Sequence, residues 1–127
     1  MRVFWYSLIA TAAFCCLPAQ AAENRILYIW TCELNEGKTS DDVQKANSVW
    51  IKFVNKQVPK GGIRSFVVSP IVGDATKFRY LDSYPDLTAW TAMDKAMKSD
   101  RGQEIEASLN EAATCSHSSL HNAVETE

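Results

Sequence analysis

Histidine is scarce in this 127-residue chain, with two copies, and basic residues do not outnumber acidic ones: 13 lysines and arginines stand against 15 aspartates and glutamates. The charges are scattered and form no basic stripe, which argues against a nucleic-acid partner. Past residue 21 no stretch is apolar enough to span a bilayer. Internal repeats are absent, and so is any linker long enough to divide the chain, so residues 22–127 read as a single domain. A phosphate loop is also missing. Gly37-Lys38-Thr39 has its lysine, but the required glycine five positions earlier is replaced by Cys32. Helix capping accounts for Thr39 without a nucleotide.

What is present begins with a leader-like segment. Arg2 supplies a positive start, and an apolar run from Val3 to Leu17 is interrupted only by Ser7 and Thr11. Pro18 breaks it, and Ala19-Gln20-Ala21 offers the small-x-small site that signal peptidase requires. The run is about 15 residues, short of the ~20 a spanning helix needs. A signal peptide over 1–21 is therefore expected, with Ala22 as the mature N-terminus and a secreted or periplasmic destination. Neither Cys15 nor Cys16 has a leucine three positions before it, so lipid attachment is disfavoured. Both leave with the leader. Cys32 and Cys115 remain, an even pair in an oxidising compartment, and are expected to form a disulfide.

The remaining pattern alternates strands and helices. Arg25 to Cys32 is rich in β-branched and aromatic residues and reads as a strand. A polar loop follows, then a helix capped at Thr39 or Ser40 that runs to about Gln57. Val43, Ala46, Trp50 and Val54 recur on it at helical spacing, and Pro59 and Gly61-Gly62 end it. Ile63–Val72 reads as a second strand with Pro70 at an edge or bulge, and Lys77–Ser83 as a third, the two forming a hairpin. A second helix starts near Pro85-Asp86 with Leu87, Trp90, Met93 and Met97 as its stripe; Ser99–Gly102 interrupts it. A further helical segment carries Ile105, Leu109 and Ala112, and Ser118–Glu125 is a weaker last strand.

Strand, helix, strand, strand, helix, strand predicts an α+β ferredoxin-like plan: a four-stranded antiparallel sheet with the helices on one face. In that plan the first strand lies between the third and the fourth. The end of the first strand, Cys32, then meets the start of the fourth, Cys115, so fold and disulfide support each other.

Alternation along the strands sorts candidate functional residues. Leu27, Ile29, Leu120 and Val124 are expected to pack on the helices. Tyr28, Trp30, His117 and His121, with Tyr80, are expected on the opposite face. An open apolar sheet face invites association, so a sheet-on-sheet homodimer enclosing a small-molecule pocket is expected. His117 and His121 are candidate acid/base residues, with Tyr28 or Tyr80 orienting a substrate. The plain alternative is two semi-exposed histidines in a serine-rich segment. A shared metal ion is disfavoured, because four residues of extended strand separate the rings by about 13 Å. Asn35 and Lys38 in the loop after the first strand are further ligand-binding candidates. Trp50 and Trp90 lie on helix stripes and read as core, as do Met93 and Met97.

The element order and the stretch YPDLTAWTAMDKAMKSDRGQEI from Tyr84 to Ile105 resemble the dimeric α/β-barrel superfamily. That group includes antibiotic-biosynthesis-type monooxygenases, stress-responsive barrel proteins and haem-degrading enzymes. The resemblance implies a small apolar or aromatic ligand and cofactor-independent oxygenase or isomerase chemistry, with no cofactor. The haem-degrading branch uses an Asn, a Trp and a His on its second helix. Pro85–Lys98 has no histidine, so those roles do not transfer. The rival reading is a non-catalytic binding module of the same fold, and a weaker one is metal or haem handling.

Overall fold

A computed structural model describes residues 23–126. The expected leader over 1–21, with its cleavage site, lies outside the described residues. Strand β1 is Asn24–Leu34, followed by helix α1 (Ser40–Gln57), strands β2 (Arg64–Val68) and β3 (Lys77–Tyr84), helices α2 (Leu87–Met97) and α3 (Asp100–Ala112), and strand β4 (Ala113–Val124). The sheet order is β2-β3-β1-β4 and every pairing is antiparallel. This is the ferredoxin-like α+β arrangement anticipated from element order.

Local chemistry sets the helix ends. Thr39 and Asp42 form a capping box: Asp42 Oδ2 accepts from the Thr39 backbone N–H at 2.9 Å, and Thr39 Oγ1 accepts from that of Asp42 at 3.4 Å. Asp41 and Asp42 face the positive end of the helix dipole and Lys56 the negative end. Beyond α1 the chain reverses through positive φ at Lys60, Gly61 and Gly62. The Asn55 side chain pins that reversal by bonding both the N–H and the carbonyl of Ile63. Asp86 caps α2 through the Ala89 N–H at 2.7 Å, and Ser99 caps α3 through that of Gly102 at 3.1 Å. The anticipated break between the two helices is therefore a second capping site.

Two boundaries differ from expectation. β2 stops at Val68, because Pro70 has no N–H for the ladder, and Ile71 and Val72 stand fully in solvent at 102% and 91% exposure. β4 begins at Ala113, straight from α3, and pairs with β1 along its whole length. Its serine-rich sequence gives little strand signal of its own; the neighbouring strand supplies its order.

On β1 and β3 the face assignment is reversed, while His117 and His121 lie on the open face as expected. On β3, Phe78, Tyr80, Asp82 and Tyr84 are buried toward the helices while Lys77 and Arg79 are exposed. Trp30 lies opposite Tyr80 and Tyr28 opposite Asp82, so the register brings both aromatics to the helix side. Tyr28 and Ile26 pack on a core built from Trp50, Val54, Tyr84, Met93 and Ile105. Trp30 packs on a second cluster around Cys32, Val43, Phe78 and Tyr80. Leu27 and Ile29 consequently lie on the open face of the sheet.

A bulge in β4 separates the histidines from these aromatics. Cys32 lies opposite Cys115, but Thr31 lies opposite His117, so Ser116 is skipped. That extra residue flips the alternation. His117, Ser119 and His121 share the open face with Thr31, Ile29 and Leu27. Leu120 and Val124 fall on the helix side but beyond the helices' cover, and both are exposed. Cys32 and Cys115 form the expected disulfide, with Cα atoms 3.9 Å apart.

Candidate functional site

Between the sheet and the helix layer lies a cavity of about 460 Å³. β1 contributes Tyr28 and Trp30 to its wall, α1 Asn47 and Trp50, β3 Tyr80, Asp82 and Tyr84, and α2 Trp90, Met93, Asp94 and Met97. Glu106, Leu109 and Asn110 of α3 and Ala113, Thr114 and Cys115 of β4 complete it. The aromatic rings are held against each other: Tyr28 is 4.6 Å from Trp30 and 6.1 Å, edge-on, from Trp90 between centroids. Tyr28 Oη lies 3.3 Å from Ser118 Oγ.

Polar groups in this wall are unusually short of partners. Tyr80 Oη, Tyr84 Oη and Trp90 Nε1 are buried and make no hydrogen bond among the described residues. Buried polar atoms are normally paired, and leaving one unpaired costs about 1–3 kcal/mol. Three such atoms around one cavity suit a ligand that supplies the missing partners.

Asp82, 5% exposed, is the buried carboxyl of the wall, which Asp94 and Glu106 line from more exposed positions. Its Oδ1 accepts from Ser65 Oγ at 2.5 Å, and Ser65 Oγ in turn accepts from Asn47 Nδ2 at 2.9 Å. Burial pushes the Asp82 carboxyl up to about 7, and the Ser65 bond opposes that rise. Burial, with Asp82 nearby, raises Tyr80 to about 12 and Tyr84 further still, so both remain protonated donors at neutral pH.

The sequence candidates divide. Tyr28, Trp30 and Tyr80 line the cavity together. His117 and His121 do not reach it; they lie across the sheet, where His121 Nε2 is 2.8 Å from Ser119 Oγ. Asn35 is engaged elsewhere: its amide donates to the carbonyls of Asn110 and Glu111 at the end of α3, and its Oδ1 accepts from Thr114. Lys38 donates to Glu111 at 2.6 Å, and this hydrogen-bonded ion pair raises the lysine and lowers the glutamate. The loop thus latches α3 beside the cavity-lining Asn110 and Thr114. Among the described residues, no group of three or more His, Cys, Asp or Glu could hold a metal ion.

Asp82, Asn47, Trp50, Tyr84 and Trp90 were missed as cavity residues. Two of them had a readable signal. Asp82 occupies an apolar position in the alternation of KFRYLDSY, and Asn47 interrupts the buried stripe of Val43, Trp50 and Val54.

A shallower depression of about 310 Å³ lies at the strand ends around Arg25 and Arg64. Arg25 is already occupied there, donating to Ser83 Oγ at 2.6 Å, to the Gly62 carbonyl at 2.7 Å and to Glu23.

No family model matches the chain, and no curated protein matches it in sequence. Solved structures match in shape. SnoaB, a cofactor-independent oxygenase from Streptomyces nogalater, superposes with a TM-score of 0.62 at 12% identity, covering 81% of this chain and 96% of that one. A conserved protein from Methanosarcina mazei superposes at 0.55 with 15% identity, over 82% and 95% of the two chains. A Caulobacter crescentus protein classed with antibiotic biosynthesis monooxygenases gives 0.55 at 12%, over 83% and 92%. At these identities the shared property is the fold: the chain has the ferredoxin-like α+β architecture found in cofactor-independent oxygenases and monooxygenase-like proteins.

Proposed function

We propose that this chain is an exported protein that binds a small apolar or aromatic molecule between sheet and helices. We further propose that it acts on that molecule as a cofactor-independent monooxygenase or an isomerase would. The observation that carries the reading is the aromatic cavity of about 460 Å³ with three buried, unpartnered polar atoms in its wall. The fold shared with SnoaB supports the oxygenase class. A disulfide agrees with an oxidising compartment and thus with export.

A second copy of the chain is the proposed cover for the open face. There Phe66, Leu81 and Ile29 form an apolar row across β2, β3 and β1, and Phe66 is half exposed. A two-fold sheet-on-sheet contact would bury this row against itself.

Every tryptophan among the described residues, Trp30, Trp50 and Trp90, lines the cavity, so fluorescence reports on its occupancy. Titration with β-naphthol should quench it to saturation, and an oxygen electrode should record uptake. Binding without oxygen uptake would remove the oxygenase reading and leave an isomerase or a binding module. The absence of both would remove the cavity reading.

A further inference from the structure

We infer that Asp82 is the proton acceptor of this cavity, held in place by Ser65 and Asn47, and that its substrate carries an acidic C–H beside a carbonyl. The inference rests on the cavity being a ligand site.

The geometry leaves one carboxylate oxygen available. Oδ1 is occupied by Ser65, while Oδ2 accepts no hydrogen bond from the described residues. Asn47 donates to Ser65 from α1, which orients the serine hydroxyl toward Oδ1. Ser65 and Asn47 are thus positioning residues, drawn from β2 and α1, that fix the rotamer of a β3 carboxyl. Neither is a proton acceptor at neutral pH.

The titratable groups sharing the cavity are Tyr28 from β1, Tyr80 and Tyr84 from β3, Asp94 from α2 and Glu106 from α3. Asp94 is paired with Lys98 at 2.6 Å, and Glu106 is exposed on its helix. Tyr80 and Tyr84, both raised by burial, are proton donors at neutral pH. Asp82 is the buried base of the set, and burial tunes it toward neutrality, where a general base works best.

The step balances within the cavity. A C–H bond next to a substrate carbonyl breaks, its proton goes to Oδ2 of Asp82, and the electron pair becomes an enolate with its charge on oxygen. The unpartnered hydroxyls of Tyr80 and Tyr84 and the Trp90 N–H border the same space as donors for that charge. Return of a solvent-exchanged proton regenerates substrate, so the step is visible without any oxidation.

The test is deuterium exchange into the carbon next to the carbonyl of β-tetralone in D₂O, followed by NMR, with binding followed in parallel by tryptophan fluorescence. Wild-type protein should exchange the probe, with a rate that rises through a midpoint near pH 7. Asp82→Asn should bind the probe but exchange it on the order of 100-fold more slowly, the lower range for loss of a general base. Ser65→Ala should move the midpoint to higher pH, which a merely structural serine would not do. Exchange by Asp82→Asn within about tenfold of wild type would overturn the assignment, as would binding without exchange by wild type. Failure of every variant to bind would overturn the cavity reading together with it.

Discussion

Cys32 is bonded to Cys115 one residue away from the point where β4 slips against β1, so the disulfide and the bulge at Ser116 form one structural unit. The bond closes a loop between residues 83 apart. Residues 22–127 should weigh two hydrogens less before reduction than after it. Reduction, or the double change Cys32→Ala with Cys115→Ala, should lower unfolding free energy by roughly 2–5 kcal/mol in denaturant melts. An unchanged midpoint would show that the β1–β4 pairing needs no covalent clamp.

Asp82 should make stability fall as pH rises. Its folded-state pKa is raised by burial, so the folded chain keeps a proton that the unfolded chain has already lost. Below pH 4 both states are protonated and the group is neutral to stability. Between about pH 4 and 7 stability declines, and above 7 the penalty is complete, up to about 4 kcal/mol at 1.36 kcal/mol per pH unit. Asp82→Asn should therefore raise Tm at pH 8 and leave it unchanged at pH 3.5. Equal gains at both values would mean that ionisation is not the cause.

Tyr84 is fully buried with an unpartnered hydroxyl, which separates packing from binding at one position. Tyr84→Phe should be as stable as wild type or more so by about 1 kcal/mol, and should bind an oxygen-bearing ligand less tightly. Tyr84→Ala should cost about 3–5 kcal/mol as a cavity mutation. Calorimetry with ligand titration distinguishes the two effects.

Gly102 sits where a Cβ would come within 2.5 Å of the Met97 backbone, at the closely packed joint of α2 and α3. Gly102→Ala should therefore destabilise by about 1–3 kcal/mol, although alanine favours helix by nearly 1 kcal/mol. A stabilised variant would show that the joint can open without cost.

Covering of the open face predicts twice the chain mass in light scattering. Leu81→Lys, in the middle of the apolar row with Ile29 and Phe66, should give a folded monomer. A wild-type monomer would refute the sheet-on-sheet dimer.

The element order was legible because each helix announces itself through a cap and a stripe, as at Thr39 with Val43, Trp50 and Val54. The meeting of Cys32 with Cys115 followed from topology alone, since the first strand of this plan must border the fourth. Which face of β1 meets the helices was not legible. Leu27 and Ile29 are as apolar as Tyr28 and Trp30, and alternation labels two faces without saying which is inside. The exposed charges Lys77 and Arg79 decide the matter on β3, and only the cross-strand register carries that decision to β1. The bulge at Ser116 was equally hidden, because a skipped residue leaves no mark on a serine-rich strand, yet it alone parts His117 and His121 from the aromatic wall. The sequence by itself thus determined the fold class and the disulfide, which depend on local periodicity and on chain order. The tertiary structure decided the cavity and the place of Asp82 within it, because burial and partner loss arise only when six elements close around one space.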